Sequence, residues 1–406
     1  MLSYQTFQGL TFPKGFRVAT AFAGIKSKGL DMLLLVADKP VFTTAMFTTN
    51  QAKAASIILG QAMLQRTKGL SQAILVNSGN ANSATGEQGM NDTLKLIACV
   101  AQELELSSEM VVTSSTGIIG EFLPMEPMTD AIVQMAQALS DEDTGSAEAI
   151  LTTDLRTKAY SVSLDLAGHE VRISGIAKGS GMIHPNMATM LSYVTTDVVM
   201  EPFVLDAIFK DCVHKSFHMM TVDGDQSTND TVLLMNSALA DNAPIDDILS
   251  EDAQSFQTAL LLLMQKLAKD IVRDGEGASK FIEVQVKGAV SEDDAYLVAS
   301  KIAQSSLVKI AMFGEDPNWG RIVAAAGSAG VSFDLTKVKI TLQGQLVFDW
   351  ENILLSNKAD KAEMDRLMKE KEIQILFDLG QGTQSATMWT CDLSYDYVKI
   401  NAEYHT

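Results

Sequence analysis

The sequence feature that most constrains the fold is a stretch of regular alternation between Ala159 and Gly179. Apolar and polar residues alternate on both sides of an Ala-Gly dipeptide, a pattern typical of two antiparallel strands joined by a tight turn. Such hairpin patterns outnumber strand–helix–strand patterns along the chain, so we expect a mixed α/β fold rather than a doubly wound parallel sheet. Further predicted strands are Met32–Asp38, Ser71–Gly79, Phe281–Val290, Lys337–Asp349 and Glu372–Gly380.

Apolar residues at helical spacing mark the segments between these strands. The predicted helices are Asn91–Leu106 with Asn91 or Asp92 as its cap, Met128–Ser140, Glu201–Phe217, Ala253–Val272 and Lys358–Glu372, the last with a mainly solvated, charged surface. The chain has 406 residues, of which 47% are hydrophobic. That is more than one small core requires, and it predicts two domains or one large two-lobed unit.

The amino-acid composition limits the kinds of binding partner and site that we expect for this protein. A formal net charge of −19 gives no general attraction to nucleic acid or to an anionic lipid surface, although a few local cations can still bind a small anion. The three cysteines form no CxxC pair, which disfavours a disulfide framework or a zinc ribbon. No signal peptide is evident, and the apolar run at 259–264 is too short to span a bilayer. We therefore expect a soluble, cytoplasmic protein.

Several common catalytic motifs are missing from the sequence. It contains no P-loop, no GxSxG nucleophile elbow, and no GxGxxG between a strand and a helix. His214 and His218 have the spacing of zinc ligands on a helix, but no glutamate follows the first histidine, so ordinary packing is the better interpretation. His184 precedes Pro185 in a glycine-rich segment, and no spacing links it to a catalytic triad. No metal is predicted.

The segment Lys178–Leu191 reads KGSGMIHPNMATML and suggests a nucleophile generated by cleavage of the backbone. A threonine hydroxyl needs a base, and the α-amine released by a cut before Thr189 would supply one with an ordinary pKa of about 7.7–8.0. Ala188 leaves room for attack on the preceding carbonyl, and the glycines allow unusual backbone conformations. A simple glycine-rich turn is the alternative interpretation.

Three other segments have both a structural and a functional interpretation. In Glu109–Glu121, a buried strand is predicted to run into a polar turn, where a hydroxyl beside a glycine could stabilise an oxyanion. In Arg273–Phe281, two glycines flank Glu276, which could be aimed at a substrate ammonium or could simply follow a helix end. The C-terminal segment Tyr395–Thr406 has a strand-like pattern, and its lack of a polar tail suggests docking.

Together these segments resemble the ornithine acetyltransferase family, the glutamate N-acetyltransferases of the cyclic arginine pathway. The resemblance covers nearly the whole chain. It rests on seven blocks in order: FPKGFRVATAFAGIK, VNSGNANSATG, KGSGMIHPNMATML, TVDGDQSTND, DGEGASKF, GEDPNWGRI and CDLSYDYVKINAEYHT.

The resemblance implies self-cleavage between Ala188 and Thr189. The products would be an α chain, residues 1–188, and a β chain, residues 189–406, which remain one intertwined two-lobed unit and assemble as an α2β2 heterotetramer. The implied fold has layered sheets sandwiched by helices, similar to N-terminal-nucleophile hydrolases but differently connected.

The resemblance also implies a role for each matching site residue. Thr189 would be the acetyl acceptor, with Thr116 and Gly117 as the oxyanion hole. The positions that match substrate-binding residues are Thr152, Lys178, Thr189, Glu276, Asn401 and Thr406, with Thr153 as an alternative to its neighbour.

The activity implied by the resemblance is acetyl transfer from N2-acetylornithine to glutamate by a ping-pong mechanism. No cofactor is implied, and acetyl-CoA is a candidate second donor that would add an amino-acid acetyltransferase activity. The sequence leaves two alternatives open: a self-processed amidohydrolase or aminopeptidase, and an unprocessed metabolite-binding protein.

Overall fold

The computed structural model describes residues 3–184, 190–351 and 358–403. The chain forms two compact units, and their boundary does not coincide with residue 188. The first unit contains residues up to His218 together with Asp225–Ile271, and the second contains Met219–Gly224 and the chain from Val272. The expected cleavage position lies inside the first unit, so residues on both sides of it build one sheet.

The first unit combines a large sheet with helices on the chain between its strands. Its strands are β1 (Ser3–Thr6), β2 (Phe16–Ala21), β3 (Met32–Phe47), β4 (Leu70–Asn80), β5 (Val111–Ile118), β6 (Lys158–Leu166), β7 (His169–Lys178), β8 (Leu191–Thr196) and β9 (Thr231–Asn236). Its helices are α1 (Ala55–Arg66), α2 (Gly86–Glu103), α3 (Met125–Gln137), α4 (Ser146–Ala149), α5 (Pro202–His214) and α6 (Glu251–Arg273).

Within the described residues these strands form one nine-stranded sheet, ordered β1-β6-β7-β8-β9-β3-β4-β5 with β2 added to β3. The pairs β4–β5 and β8–β9 are parallel, and the other pairs of this sheet are antiparallel. The predicted hairpin is present as β6 and β7, which turn at Ala167 and Gly168 with φ of 52° and 90°. Positive φ at both turn residues matches the right-handed twist of the flanking strands.

Strand β3 bends and divides this sheet into two layers. Its first half pairs with β2 and β4, its second half pairs with β9, and the register shifts between Val36 and Val41. Apolar residues from both layers meet in one core, including Leu35 on β3 and Tyr193 on β8. The outer face of the first layer packs on α2 and α3, and Gly175 of β7 lies against Leu263 on α6. Helices therefore cover both outer faces, as expected for layered sheets sandwiched by helices.

The second unit has a smaller sheet of its own. Its elements are β10 (Phe281–Ala289), α7 (Glu292–Gln304), α8 (Ser306–Phe313), α9 (Trp319–Gly327), β11 (Lys339–Leu342), β12 (Gln345–Asp349), α10 (Lys358–Leu367), β13 (Glu372–Asp378), β14 (Gln384–Cys391) and α11 (Tyr395–Glu403). The strand order is β12-β11-β13-β10-β14, and only β10 and β13 run parallel among the described strands. In the part of the chain described here, no helix is long and apolar enough to cross a membrane.

Two predictions about helices were wrong. The C-terminal segment is helical from Tyr395, not strand-like: Ser394 Oγ accepts a hydrogen bond from the Asp396 amide as an N-terminal cap does, and Tyr395 is exposed rather than packed on a sheet. Helix α2 begins at Gly86, one turn before the predicted cap, and Asp92 is buried within it.

The charged helix α10 is not simply a solvated surface. Met364 on the helix and Met368 just after it are almost completely buried in the core of the second unit. The high charge of this segment masks two apolar residues at an i,i+4 spacing, which lie on one face of a helix.

We expect Met364→Ala to lower the free energy of unfolding by about 2–4 kcal/mol, because it removes a buried side chain and leaves a cavity. Asp365→Ala, at an exposed neighbouring position on the same helix, is the matched control and should change it by less than about 0.5 kcal/mol. Urea unfolding of both variants measures the difference. Equal stability of the two variants would contradict the burial of Met364.

Candidate functional site

The ends of several strands meet at one end of the two-layered first unit. Thr116 and Gly117 lie just before the end of strand β5 in one layer, and β7 of the other layer ends with Lys178. Lys178 Nζ lies 3.4 Å from Thr116 Oγ1. Asn229, just before β9, donates from Nδ2 to the carbonyl oxygens of Ala81 at 2.7 Å and Ser115 at 2.8 Å. These contacts join the two layers where the predicted site residues lie.

Only glycine fits at position 117. Its φ is +135°, and a Cβ there would lie 2.2 Å from the carbonyl carbon of Gly79. The β4–β5 register shifts at Gly79 and Asn80, which is the signature of a β-bulge. The predicted polar turn is thus the end of strand β5, bent by this bulge. The sequence predicted the buried strand but placed Thr116 and Gly117 in a turn beyond it, whereas both residues lie within β5.

Asparagine side chains hold the bulge in place. Asn77 donates from Nδ2 to the Asn80 carbonyl at 2.8 Å and accepts a hydrogen bond from Ser115 Oγ at 2.7 Å. Asn80 in turn accepts from the Asn82 amide at 2.8 Å. The three asparagines belong to the block VNSGNANSATG. Their hydrogen bonds explain why this block at a strand end contains so many asparagines.

A buried ion-pair cluster fixes Lys178. Asp154 Oδ1 lies 2.7 Å from Lys158 Nζ and accepts a hydrogen bond from the Gly179 amide, also at 2.7 Å. Asp154 Oδ2 lies 3.9 Å from Lys178 Nζ. Burial acts to raise the pKa of Asp154, but Lys178 and Lys158 outweigh it and hold that pKa below its usual value. With two lysines and one aspartate, the cluster carries a net positive charge inside an acidic protein.

The two threonines of the LTTD segment have different partners. Lys178 Nζ donates to Thr152 Oγ1 at 2.7 Å, whereas Thr153 Oγ1 lies 2.7 Å from Ser180 Oγ. The geometry therefore associates Thr152 with the lysine of the site and Thr153 with the glycine-rich loop. This contact favours Thr152 over Thr153 as the site residue.

Lys26 is a further cation that sequence reasoning missed. Its Nζ donates to the Leu151 carbonyl at 3.0 Å. Partial burial lowers its pKa, the carboxylates of Asp31 and Asp154 act to raise it, and Lys178 acts to lower it. Asp31 accepts hydrogen bonds from the amides of Ala23, Ile25 and Lys26, which anchors the loop carrying this lysine. The only sequence signal was its place at the end of the block FPKGFRVATAFAGIK.

The glycine-rich segment is described up to His184 and again from Met190. The predicted cleavage residues Ala188 and Thr189 lie outside the described residues, as does Thr406. Burial lowers the pKa of His184. Met190 is held on both sides: its amide donates to Asp230 Oδ1 at 2.9 Å, and its carbonyl accepts from the Thr231 amide at 3.1 Å.

The second unit brings Glu276 and Asn401 together. Asn401 Nδ2 donates to Glu276 Oε2 at 2.9 Å. Gly277 makes this approach possible, because its φ is +68° and a Cβ there would lie 2.4 Å from the Tyr397 amide nitrogen. Ser394 Oγ also donates to the Gly277 carbonyl at 2.6 Å. The helix α11, wrongly predicted as a strand, is what presents Asn401 to the loop.

The two histidines form a hydrogen bond with each other. His214 Nδ1 and His218 Nδ1 lie 2.9 Å apart with their rings edge to face. Burial, followed by the neighbouring His214, lowers the pKa of His218 to about 4, so His218 is neutral at physiological pH. Among the residues that the structure describes, no group of three His, Cys, Asp or Glu side chains is placed to hold a metal ion.

Comparison with known proteins gives one consistent family. The ArgJ family model matches residues 17–406. The arginine biosynthesis bifunctional protein ArgJ of Caldanaerobacter subterraneus subsp. tengcongensis is 46% identical over 402 residues, which cover 98% of each chain. That of Shouchella clausii is 44% identical over 399 residues, covering 98% of this chain and 96% of the relative. A crystal structure of arginine biosynthesis bifunctional protein argJ from Bacillus halodurans aligns with a TM-score of 0.50 at 39% identity, covering 53% of this chain and 100% of that one.

Asp154→Asn is expected to lower the free energy of unfolding at neutral pH by about 3–5 kcal/mol, because it leaves buried lysine charge unpaired. The folded-state pKa of Asp154 is depressed, so its stabilisation is present above the unfolded value of about 3.9 and is lost as the pH falls through the folded value. The variant should lack this acid-dependent loss. Urea unfolding at neutral pH and in a series below pH 4 measures both effects.

The matched control is Asp38→Asn, which breaks an exposed ion pair with Arg17 at 3.2 Å. Exposed pairs contribute little, so this change should cost less than about 1 kcal/mol. If Asp154→Asn costs no more than the control, the cluster does not hold this end of the unit together.

Proposed function

Because the chain belongs to the ArgJ family, we propose that it is a glutamate N-acetyltransferase of arginine biosynthesis that transfers the acetyl group of N2-acetylornithine to glutamate. The observation that carries the proposal is the meeting of Thr116, Gly117, Lys178 and the amide of Met190 at one end of the first unit. Two of these residues match the family's oxyanion pair, one matches a substrate cation, and one follows the nucleophile in the chain.

We further propose that the chain cuts itself between Ala188 and Thr189. Strands on either side of this bond pair directly, with Lys178 opposite Leu191, so the two products would remain joined by sheet hydrogen bonds. The Bacillus halodurans chain, matched over its full length by 53% of this chain, supports the proposal, since a relative divided near this point would be matched in this way. A cytoplasmic α2β2 heterotetramer is part of the same proposal.

In the proposed chemistry, the Thr189 hydroxyl attacks the acetyl carbonyl while its α-amine takes the proton. The Thr116 hydroxyl and the Gly117 amide stabilise the oxyanion that forms. The carbon–nitrogen bond to ornithine then breaks, the leaving amine takes a proton from the α-ammonium, and an acetyl-threonine ester remains. The amine of glutamate attacks this ester, gives N-acetylglutamate and regenerates the free threonine.

Substrate recognition follows from the local charge. Both N-acetylornithine and glutamate carry an α-carboxylate, and Lys178 is the proposed cation for it, held by Asp154 and Thr152. Lys26 adds positive charge to the same end of the first unit. Thr152, Glu276, Asn401 and Thr406 are proposed to contact the substrate. Acetyl-CoA is proposed as a second donor, in agreement with the word bifunctional in the relatives' names.

Cleavage is tested by denaturing mass spectrometry of the purified chain. The wild type should give two species, one ending at Ala188 and one beginning with Thr189. Thr189→Ala should remain a single intact species without transferase activity, because it has neither the hydroxyl nor the freed amine, and Thr189→Ser should retain part of both activities. An intact Thr189→Ala chain with full activity would refute the mechanism.

The ping-pong order is tested by initial rates with both substrates varied. Parallel reciprocal plots and an acetylated Thr189 species formed without glutamate are expected, because the ester forms before glutamate binds. Intersecting lines would contradict a covalent intermediate. Rapid release of acetate to water in the absence of glutamate would instead indicate an amidohydrolase.

The oxyanion role is tested with two variants on one strand. Thr116→Val should lower kcat by about 10²–10³, the usual cost of losing one oxyanion donor. Thr113→Val is the matched control: Thr113 is equally buried on β5, but residues three apart in a strand point to opposite faces. Similar kcat values for the two variants would exclude Thr116 from the oxyanion hole.

A further inference from the structure

Asp230 is a buried aspartate to which the proposed reaction gives no role. It directly precedes β9 and its exposed fraction is 0%. It ends the block TVDGDQSTND, and no catalytic pattern in the sequence singles it out. The proposed function uses Thr189, Thr116, Gly117 and Lys178, and leaves this carboxyl group unexplained.

One oxygen of Asp230 holds the peptide unit that follows the proposed nucleophile. Oδ1 accepts the hydrogen bond of the Met190 amide at 2.9 Å. That nitrogen is covalently bonded to the carbonyl carbon of Thr189. The backbone of Asp230 supports the same region, because the next residue, Thr231, donates its amide to the Met190 carbonyl at 3.1 Å. The carboxyl group therefore contacts the backbone nitrogen of the residue that follows Thr189 in the chain.

The other oxygen of Asp230 is buried without a hydrogen bond in the part of the chain that the structure describes. A buried carboxyl oxygen without a partner is costly, and native structures rarely retain one that serves no purpose. Burial raises the pKa of Asp230 well above its usual value, while the Met190 amide, the Thr48 hydroxyl and the Lys178 ammonium group act to lower it.

Asp197 shows what a buried aspartate with a purely structural function looks like here. It follows the opposite end of β8 and is also 0% exposed. One of its oxygens accepts from the Arg172 amide at 2.9 Å and the other from the Lys14 amide at 3.2 Å. Both oxygens of Asp197 are satisfied by backbone, whereas Asp230 keeps one oxygen available next to the residue that follows Thr189.

We infer that Asp230 is a positioning residue for Thr189: Oδ1 fixes the peptide unit after the nucleophile, and Oδ2 is the acceptor for the α-amine that cleavage releases. The inference rests on the proposed function. The α-nitrogen of a residue lies only about 3–3.6 Å from the next backbone nitrogen, so one carboxyl group can contact both. When the amine takes the hydroxyl proton it becomes an ammonium, which the second oxygen would hold and orient until the proton passes to the leaving ornithine amine.

The test compares four full-length chains: wild type, D230N, D230A and the matched control D197N. The rate of cleavage before Thr189 is followed by denaturing mass spectrometry, and the rate of Thr189 acetylation by N-acetylornithine is measured on the cleaved protein. D230N keeps an acceptor for the Met190 amide but loses the carboxylate. It should lower the cleavage rate, the acetylation rate or both by about 10- to 100-fold, with KM nearly unchanged. D197N should react like the wild type.

A chemical rescue separates positioning from packing. Formate fits the space left by D230A and supplies a carboxylate, so it should raise the acetylation rate of D230A several-fold, whereas chloride at equal ionic strength should not. No rescue would assign the loss to packing and overturn the inference.

Two further outcomes would overturn it. One is a D230N chain that cleaves and acetylates within about 2-fold of the wild type. The other is a D230N chain without the cooperative melting transition that D197N retains, since Asp230 would then serve folding. A wild-type chain that neither cleaves nor transfers acetyl would instead refute the proposed function itself, which keeps the two failures distinct.

Discussion

The geometry of the first unit's site depends on the contacts that the buried carboxylate of Asp154 makes with its neighbours. It pairs with Lys158 at the start of β6 and binds the amide of Gly179 just after β7. Through Lys178 and Thr152 it also ties the segment before β6 to the end of β7. Both lysines are buried beside this one aspartate, which lies within 4 Å of each ammonium group and also accepts a backbone hydrogen bond. The excess positive charge is what an anionic substrate would meet.

The bend in β3 brings Thr116 of the other layer next to the cluster of Asp154, Lys158 and Lys178. One strand contributes to both layers. The end of β5 in one layer therefore faces the end of β7 and the start of β9 in the other layer. The bond from Asn229 to Ser115 and the approach of Lys178 to Thr116 both cross between the layers. The same folding places strands from before residue 184 and strands from after residue 190 in one sheet, so a cut between β7 and β8 would leave the strands on both sides paired. Self-cleavage and a stable product are thus compatible in this architecture.

Much of the fold could be predicted from local patterns, and the failures have physical causes. The hairpin β6–β7 was predicted because alternation and a turn dipeptide are local signals. The C-terminal helix was missed because Tyr395 and Tyr397 imitate strand alternation, while its cap, Ser394, acts through a single hydrogen bond. Charge on α10 concealed its buried methionines. In the site, Lys26, Asp154, Lys158 and Asp230 were missed, because a charged residue in sequence shows no sign of whether it will be buried or paired.

The sequence by itself determined the family, most of the element types and the chemical identity of the proposed nucleophile, since these lie in short continuous blocks. Only the tertiary structure decided which residues act together. Thr116 and Lys178 are 62 positions apart, and Met190 and Asp230 are 40 apart. Their contacts arise from the packing of two sheet layers and from the pairing of β8 with β9. The physical reason is that strand pairing and layer packing depend on the whole apolar core, which no short segment encodes.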